Sequence, residues 1–201
     1  MNKNLFFFLF LIVPLFINAQ SIISTSGETG TSGTNWSSAG TNPFVITTSG
    51  NASIHPSVLT DKLNSGIDVT FVSNGTKISS SLLKTSGGDA RLTFKDIAVI
   101  QTSPNVVISS SSNKLDIVFW ADSDNSQSNT SSTATDAIFI DSGSQLISNG
   151  GVIVLGGGTD ADADGLPDGY ALNGSNSTNY GLNFGAIGGI NLGQQVELVP
   201  P

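Results

Sequence analysis

The chain has no cysteine, one histidine and one arginine, and only 11% of its 201 residues are charged. The absence of cysteine excludes disulfides, zinc–thiolate sites and a cysteine nucleophile. So small a charged fraction argues against long solvated helices and coiled coils. The formal net charge of -8 argues against nucleic acid as a partner, because an acidic surface repels phosphates.

The first 19 residues predict a signal peptide. Lys3 precedes an apolar run from Leu5 to Phe16, and the small residue Ala19 comes before Gln20. This run is too short to cross a bilayer as a helix, which takes about 20 residues. An uncleaved anchor is the alternative, but no charged flank follows the run. Since export without cysteine suits a bacterial envelope, we expect the mature chain, residues 20–201, at the cell surface or outside the cell and not membrane-spanning.

Short runs rich in Val, Ile, Phe and Thr, separated by turn residues, indicate β-strands. The predicted strands are 44–47, 68–72, 91–94, 97–100, 106–109, 115–120, 137–140 and 152–155. One short helix is predicted at 57–63, after Pro56 and before an Asn-Ser-Gly turn. Residues 20–43, rich in Ser, Thr and Gly, are expected to form a leader or cap.

The strands recur at a spacing that favours stacked repeats. Val69, Leu92, Ile117 and Ile138 follow one another at intervals of roughly 21–25 residues. This rhythm predicts an all-β fold, a parallel β-helix over 44–201, in which each turn of the helix contributes two or three strands. Loops are expected at 121–136 and 156–180. A β-sandwich built from antiparallel hairpins is the alternative.

Three stretches carry motifs beyond strand spacing. Residues 52–72 end in N-S-G-I-D-V-T-F-V, residues 92–121 contain K-L-D-I-V-F-W-A, and residues 137–158 contain I-S-N-G-G-V-I-V-L-G-G-G. Together they resemble the filamentous-haemagglutinin-type segment near the N-terminus of large bacterial surface adhesins. The resemblance implies a right-handed parallel β-helix, secretion and a role in adhesion. Because such proteins are usually much longer, we expect this chain to be truncated, a part of a longer protein.

The sharpest local motif is an acidic loop. Asp160, Asp162, Asp164 and Asp168 surround Gly165 with the spacing D-x-D-x-D-G-x-x-D. Alternate carboxylates converge on one centre when a glycine permits the sharp turn, and hard oxygen ligands suit Ca²⁺. The stretch resembles the calcium loops of thrombospondin type 3 repeats. A solvated acidic loop without a metal is the alternative.

The distribution of charge favours a cation at this loop. No Lys or Arg follows Lys114, whereas residues 115–201 contain ten acidic residues. A divalent cation outside the cell would relieve the repulsion among the clustered carboxylates. Position 12 of the loop is Ala171, where an EF-hand has a bidentate Glu, so we expect weak affinity. Asp122 and Asp124 open a second polar stretch, which we interpret as a loop and only secondarily as a minor cation site.

The leading functional prediction is an exported, non-enzymatic adhesin segment or structural stalk. Its expected partner is a glycan or protein on a host or neighbouring cell. The alternative is a β-helix carbohydrate-active enzyme or a carbohydrate-binding module, and an ice-binding solenoid is disfavoured by irregular Thr spacing. No catalytic residues are predicted, because His55 has no nucleophile-elbow context and Arg91 is the only arginine available to hold an acidic sugar. Of Phe119 and Trp120, one ring is expected to pack in or against the strands, and stacking of an exposed Trp120 on a sugar is the alternative.

Overall fold

A computed structural model describes residues 20–125 and 137–171, together with the backbone of 190–192 and 197–199. The predicted signal peptide, most of the predicted loop at 121–136 and part of the one at 156–180 lie outside the described residues. In the part of the chain that is described, no helix is long and apolar enough to cross a membrane.

The secondary structure is dominated by short strands. In the first half of the chain they are β1 (Ser21–Glu28), β2 (Ser32–Gly33), β3 (Trp36–Ala39), β4 (Phe44–Thr48), β5 (Ser53–Ile54), β6 (Val69–Ser73), β7 (Thr76–Ile78), β8 (Leu82–Lys84) and β9 (Ala90–Asp96). The later strands are β10 (Ile100–Thr102), β11 (Val107–Ser110), β12 (Leu115–Ala121), β13 (Ile138–Ile140), β14 (Gln145–Ile147), β15 (Ile153–Gly157), β16 (Ile190–Leu192) and β17 (Glu197–Val199). The helix α1 (Ser57–Leu63) lies between β5 and β6.

The strands of the described residues form three sheets. The six-stranded sheet has the order β16-β13-β10-β7-β1-β5 and the four-stranded sheet the order β17-β14-β11-β8, and both are parallel. The seven-stranded sheet, β15-β12-β9-β6-β4-β3-β2, is mixed. From β7 onward the chain visits the three sheets in turn, and we call each set of three successive strands a passage. Strands that are neighbours in a sheet therefore belong to successive passages and are three apart in the sequence.

The structure contradicts the prediction of an all-β, right-handed parallel β-helix over residues 44–201. The described strands form three separate sheets rather than one uniform parallel winding, and the largest sheet is mixed. Positive φ angles at Gly30, Asn35 and Gly40 turn the chain back, so that β2, β3 and β4 pair antiparallel. The spacing of strands along the sequence did not predict this antiparallel pairing, because it shows how often strands recur and not the direction in which they pair.

Residues 20–43, for which the sequence predicted a leader or cap, contribute strands to two sheets. β1 lies between β7 and β5 in the six-stranded sheet, while β2 and β3 extend the seven-stranded sheet. Every predicted strand after residue 43 overlaps an observed one. The predicted strand at 97–100 overlaps only at Ile100, where β10 begins.

The predicted helix at 57–63 is confirmed. It follows Pro56, and it buries Val58, Leu59 and Leu63 against β6, β8 and β9. Proline fits the start of a helix because it has no N–H to leave unpaired there. The helix ends at Leu63, and Asn64 is its C-cap residue.

The core is built from columns of equivalent side chains. In-register pairing of β6, β9 and β12 places Phe71, Phe94 and Phe119 one above the next. Their ring centroids are 5.7 and 5.5 Å apart, and all three side chains are fully buried. Such edge and tilted contacts add to the free energy gained from burying the rings.

Replacing the central ring is expected to be costly. We predict that Phe94→Ala lowers the free energy of unfolding by about 3–5 kcal/mol, because the cavity loses contacts with a ring on either side. Urea unfolding of the purified protein measures this loss. Leu83→Ala is the control, since this side chain is 46% exposed and its loss should cost roughly 1 kcal/mol or less. Equal losses for the two variants would contradict the column.

Candidate functional site

A ladder of carboxylates lies at the N-terminal ends of β6, β9 and β12 in the seven-stranded sheet. Each carboxylate accepts a hydrogen bond from the backbone N–H of a residue in the next passage of the chain. The bonds run from Arg91 N to Asp68 Oδ1 (2.7 Å), from Lys114 N to Asp89 Oδ1 (2.9 Å) and from Val152 N to Asp116 Oδ1 (3.0 Å). These bonds fix the carboxylates in place and leave the second oxygen of each for other partners.

An open groove of about 500 Å³ runs along this ladder. The carboxylates of the ladder line it together with Ala90, Arg91, Lys114, Gly150 and Val152. A second cavity, of about 250 Å³, shares Asp68 and Arg91 with the first and extends along the sheet to Trp120 and the acidic loop. We call the two together the ladder groove. Its size lies in the range of small-ligand sites in proteins, roughly 300–1,000 Å³.

Charges of both signs alternate in the ladder groove. Arg91 pairs with Asp116 in register, and its Nε lies 3.5 Å from Asp116 Oδ2. Both side chains are about one-third exposed, at 33% and 30%, so this ion pair contributes little to stability. The ion pair places hydrogen-bond donors and acceptors next to each other on a solvent-exposed surface.

Phe119 and Trp120 are both buried, where the sequence predicted one packed ring, and Trp120 does not offer a free ring face to a sugar. Its side chain is only 3% exposed. Lys95 Nζ lies 3.8 Å from the ring centroid, and the indole Nε1 donates a hydrogen bond of 2.6 Å to the carbonyl of Gly158. The tryptophan therefore anchors the start of the acidic loop to the sheet.

The acidic loop is closed at its base. Gly157 and Gly169 exchange backbone hydrogen bonds of 3.1 and 2.8 Å, and Asp168 N donates to Thr159 O at 3.0 Å. Positive φ angles of 63° at Ala163 and 82° at Gly165 reverse the chain within the loop. These turns fold the acidic side chains toward one another.

Three of the four predicted ligand residues come together. Asp160, Asp162 and Asp168 each place a carboxylate oxygen within 4.8 Å of the other two. Asp164 is outside this group, and its Oδ1 accepts the N–H of Leu166 at 2.8 Å. Ala171, at position 12, is buried and brings no side-chain oxygen. Metal binding at this loop remains a prediction.

Backbone N–H groups already contact the converging carboxylates. Asp164 N donates to Asp160 Oδ1 at 3.0 Å, and Gly165 N donates to Asp160 Oδ2 at 3.0 Å. Asp168 Oδ2 accepts the N–H of Ala161. These bonds tie the carboxylates of Asp160 and Asp168 to the backbone of the loop.

The loop lies beside basic side chains that the sequence did not associate with it. A Cβ added to Gly165 would be 3.4 Å from Arg91 Nη1, and Asp160, Gly165 and Lys95 line one cavity. The basic residues precede position 115 and the loop follows it, so charge counted along the chain keeps them apart. Only the pairing of β9, β12 and β15 brings them to one surface.

His55 has a local partner. Its Nδ1 lies 2.8 Å from the hydroxyl of Ser57 and accepts the Ser57 N–H at 3.2 Å. Both bonds span two residues at the start of α1, where they replace the missing side-chain cap of that helix. The geometry therefore explains the only histidine as a residue that shapes the turn into the helix.

No family model, no curated protein and no solved structure matches this chain. The resemblance to bacterial adhesins therefore rests on the three stretches of sequence alone. The function must be argued from the ladder groove and the acidic loop.

A buried acid, like the basic side chains beside the acidic loop, is a feature that the sequence did not indicate. Asp96 is fully buried at the end of β9, and its Oδ1 accepts the hydroxyl of Thr76 at 3.0 Å. Among the described residues, Oδ2 has no hydrogen-bond partner. Burial raises the pKa of Asp96 well above its usual value, and the bond from Thr76 opposes this shift only in part.

The raised pKa of Asp96 predicts that this residue favours the folded state more in acid than at higher pH. Because the folded pKa of Asp96 is raised, its favourable contribution is complete below the unfolded pKa, about 3.9, and is lost as the pH rises through the folded pKa. We expect Asp96→Asn, which resembles the protonated acid, to flatten the fall in unfolding free energy that Asp96 causes as the pH rises above about 4. Urea unfolding at several pH values measures this.

The control for this experiment is Asp61→Asn, since Asp61 is exposed on α1. This variant should keep the pH dependence of the parent protein. A profile that is the same for the parent and for Asp96→Asn would contradict the assignment of the pH effect to the buried carboxyl.

Proposed function

We propose that the protein is an exported, non-enzymatic binding protein of a bacterial cell surface. It acts as an adhesin segment or structural stalk and contacts a glycan or protein on a host or neighbouring cell. The observation that supports this proposal best is the ladder groove, an open surface whose polar side chains are held by backbone hydrogen bonds. Groups held in this way lose little freedom when a ligand binds.

A carbohydrate-active enzyme or carbohydrate-binding module is the second candidate. The carboxylates in the ladder groove favour it, since glycoside hydrolysis uses a pair of such groups. Against an enzyme, the Oδ1 atoms of Asp68, Asp89 and Asp116 all serve as caps for backbone N–H groups. This role gives each carboxylate a structural reason to be there.

Adhesion can be tested directly with coated beads. We predict that beads carrying the purified protein are retained on cells or on immobilised cell-surface glycans more than beads carrying an unrelated protein of similar net charge. Retention is scored by counting beads after washing. Equal retention of the two bead types would contradict the proposal, and release of shortened saccharides from the glycans would favour the enzyme instead.

We also propose that Ca²⁺ binds the acidic loop through Asp160, Asp162 and Asp168. Ca²⁺ takes six to eight oxygen ligands, and three convergent carboxylates are a donor set of the hard oxygen type that it prefers. Water would complete the shell, which fits the weak affinity expected from Ala171 at position 12. A bound cation would hold the loop against the edge of the ladder groove.

Calorimetric titration tests this site. We predict binding heat with a dissociation constant in the range of extracellular modules, about 10⁻⁴–10⁻³ M, and its loss in Asp160→Asn, because one of three charged ligands is removed. Asp141→Asn is the matched control, since it removes the same charge from a position outside the loop. The absence of heat at millimolar Ca²⁺, or unchanged heat in Asp160→Asn, would contradict the site.

A further inference from the structure

The ladder groove has a composition that selects among ligand classes. Its larger cavity combines the carboxylates of Asp68, Asp89 and Asp116 with the guanidinium of Arg91 and the ammonium of Lys114. Three negative charges face two positive ones, so the cavity repels polyanions and offers no strong field to polycations. A neutral ligand rich in hydroxyl groups fits this balance, because each hydroxyl can donate to a carboxylate and accept from a basic group.

The spacing of these groups fits a repeating ligand. Arg91 and Asp116 lie on paired strands in register, and Asp68 caps the backbone at Arg91. Adjacent strands are about 4.8 Å apart, so donors and acceptors recur at that interval across the sheet. The two cavities share Asp68 and Arg91, which makes the ladder groove elongated rather than a closed pocket.

The groove also has an apolar wall. Val152 is 51% exposed and lines the larger cavity beside Ala90 and Gly150. An exposed β-branched side chain next to fixed polar groups can contact the C–H face of a sugar ring while the polar groups bond its hydroxyls. Trp120 does not take this role, since its ring is covered by Lys95.

We infer that the ladder groove binds a short segment of neutral oligosaccharide. Arg91 and Lys114 donate to ring or hydroxyl oxygens, the second carboxylate oxygens of Asp68 and Asp89 accept from hydroxyls, and Val152 contacts the ring. This inference rests on the proposed function, of which it names the site and the class of ligand. A protein partner is the other outcome that the experiment distinguishes.

The experiment titrates the purified protein with short neutral oligosaccharides built from glucose, galactose, mannose or N-acetylglucosamine. Arg91→Gln is expected to weaken binding roughly tenfold or more, because it removes charged hydrogen-bond donors. Val152→Asp, at an exposed position, is expected to weaken it as well. Lys77→Gln is the matched control: it removes a positive charge from β7, on the six-stranded sheet, and should bind as the parent protein does.

Thermal unfolding of each variant verifies that it is folded before binding is compared. The inference is overturned if no neutral oligosaccharide binds, if acidic polysaccharides bind better than neutral ones, or if both Arg91→Gln and Val152→Asp bind as the parent does. Coated beads separate the two proposals. If beads adhere to cells but no saccharide competes with them, the proposed function stands and the saccharide site fails.

Discussion

The structure depends on the register of its parallel strands. Because the chain passes through the three sheets in turn, residues at matching positions of successive passages lie directly beside one another. Inside, this register builds the column of Phe71, Phe94 and Phe119. Outside, it aligns Arg91 with Asp116. A shift by one residue would send the rings outward and the charges into the core, so burial of the rings protects the register.

The candidate site follows from the same constraint. The ladder groove exists because a carboxylate in one passage caps the backbone of the next, which is possible only when the passages stay in register. The acidic loop leaves the sheet at Gly157 and Gly158. There the indole N–H of Trp120, on the neighbouring strand, donates a hydrogen bond to the carbonyl of Gly158. Two features that are far apart in sequence, basic residues before position 115 and acidic residues after 159, thereby meet at one surface.

The short helix and most strands could be predicted from local features of the sequence, whereas the pairing of strands into sheets could not. The helix at 57–63 could be predicted from Pro56 and the turn after it, and most strands after residue 43 from β-branched and aromatic runs. The antiparallel strands β2 and β3 are Ser-rich and short, so their composition resembles that of a loop. The convergence of Asp160, Asp162 and Asp168 follows from spacing within one loop. The ladder groove and buried Asp96 depend on which strands are neighbours, which no pattern along the chain contains.

Because the chain has no cysteine, paired cysteines can report the register of strands without interference. Thr70 and Thr93 are opposite each other on β6 and β9, with Cα atoms about 4.8 Å apart. Thr70 and Lys95 are offset by two residues, with Cα atoms roughly 8 Å apart. Under mild oxidation, the account predicts an intramolecular disulfide in the variant T70C/T93C and little in T70C/K95C. Efficient cross-linking of the offset pair, or none of the aligned pair in a folded protein, would contradict the register on which the groove depends.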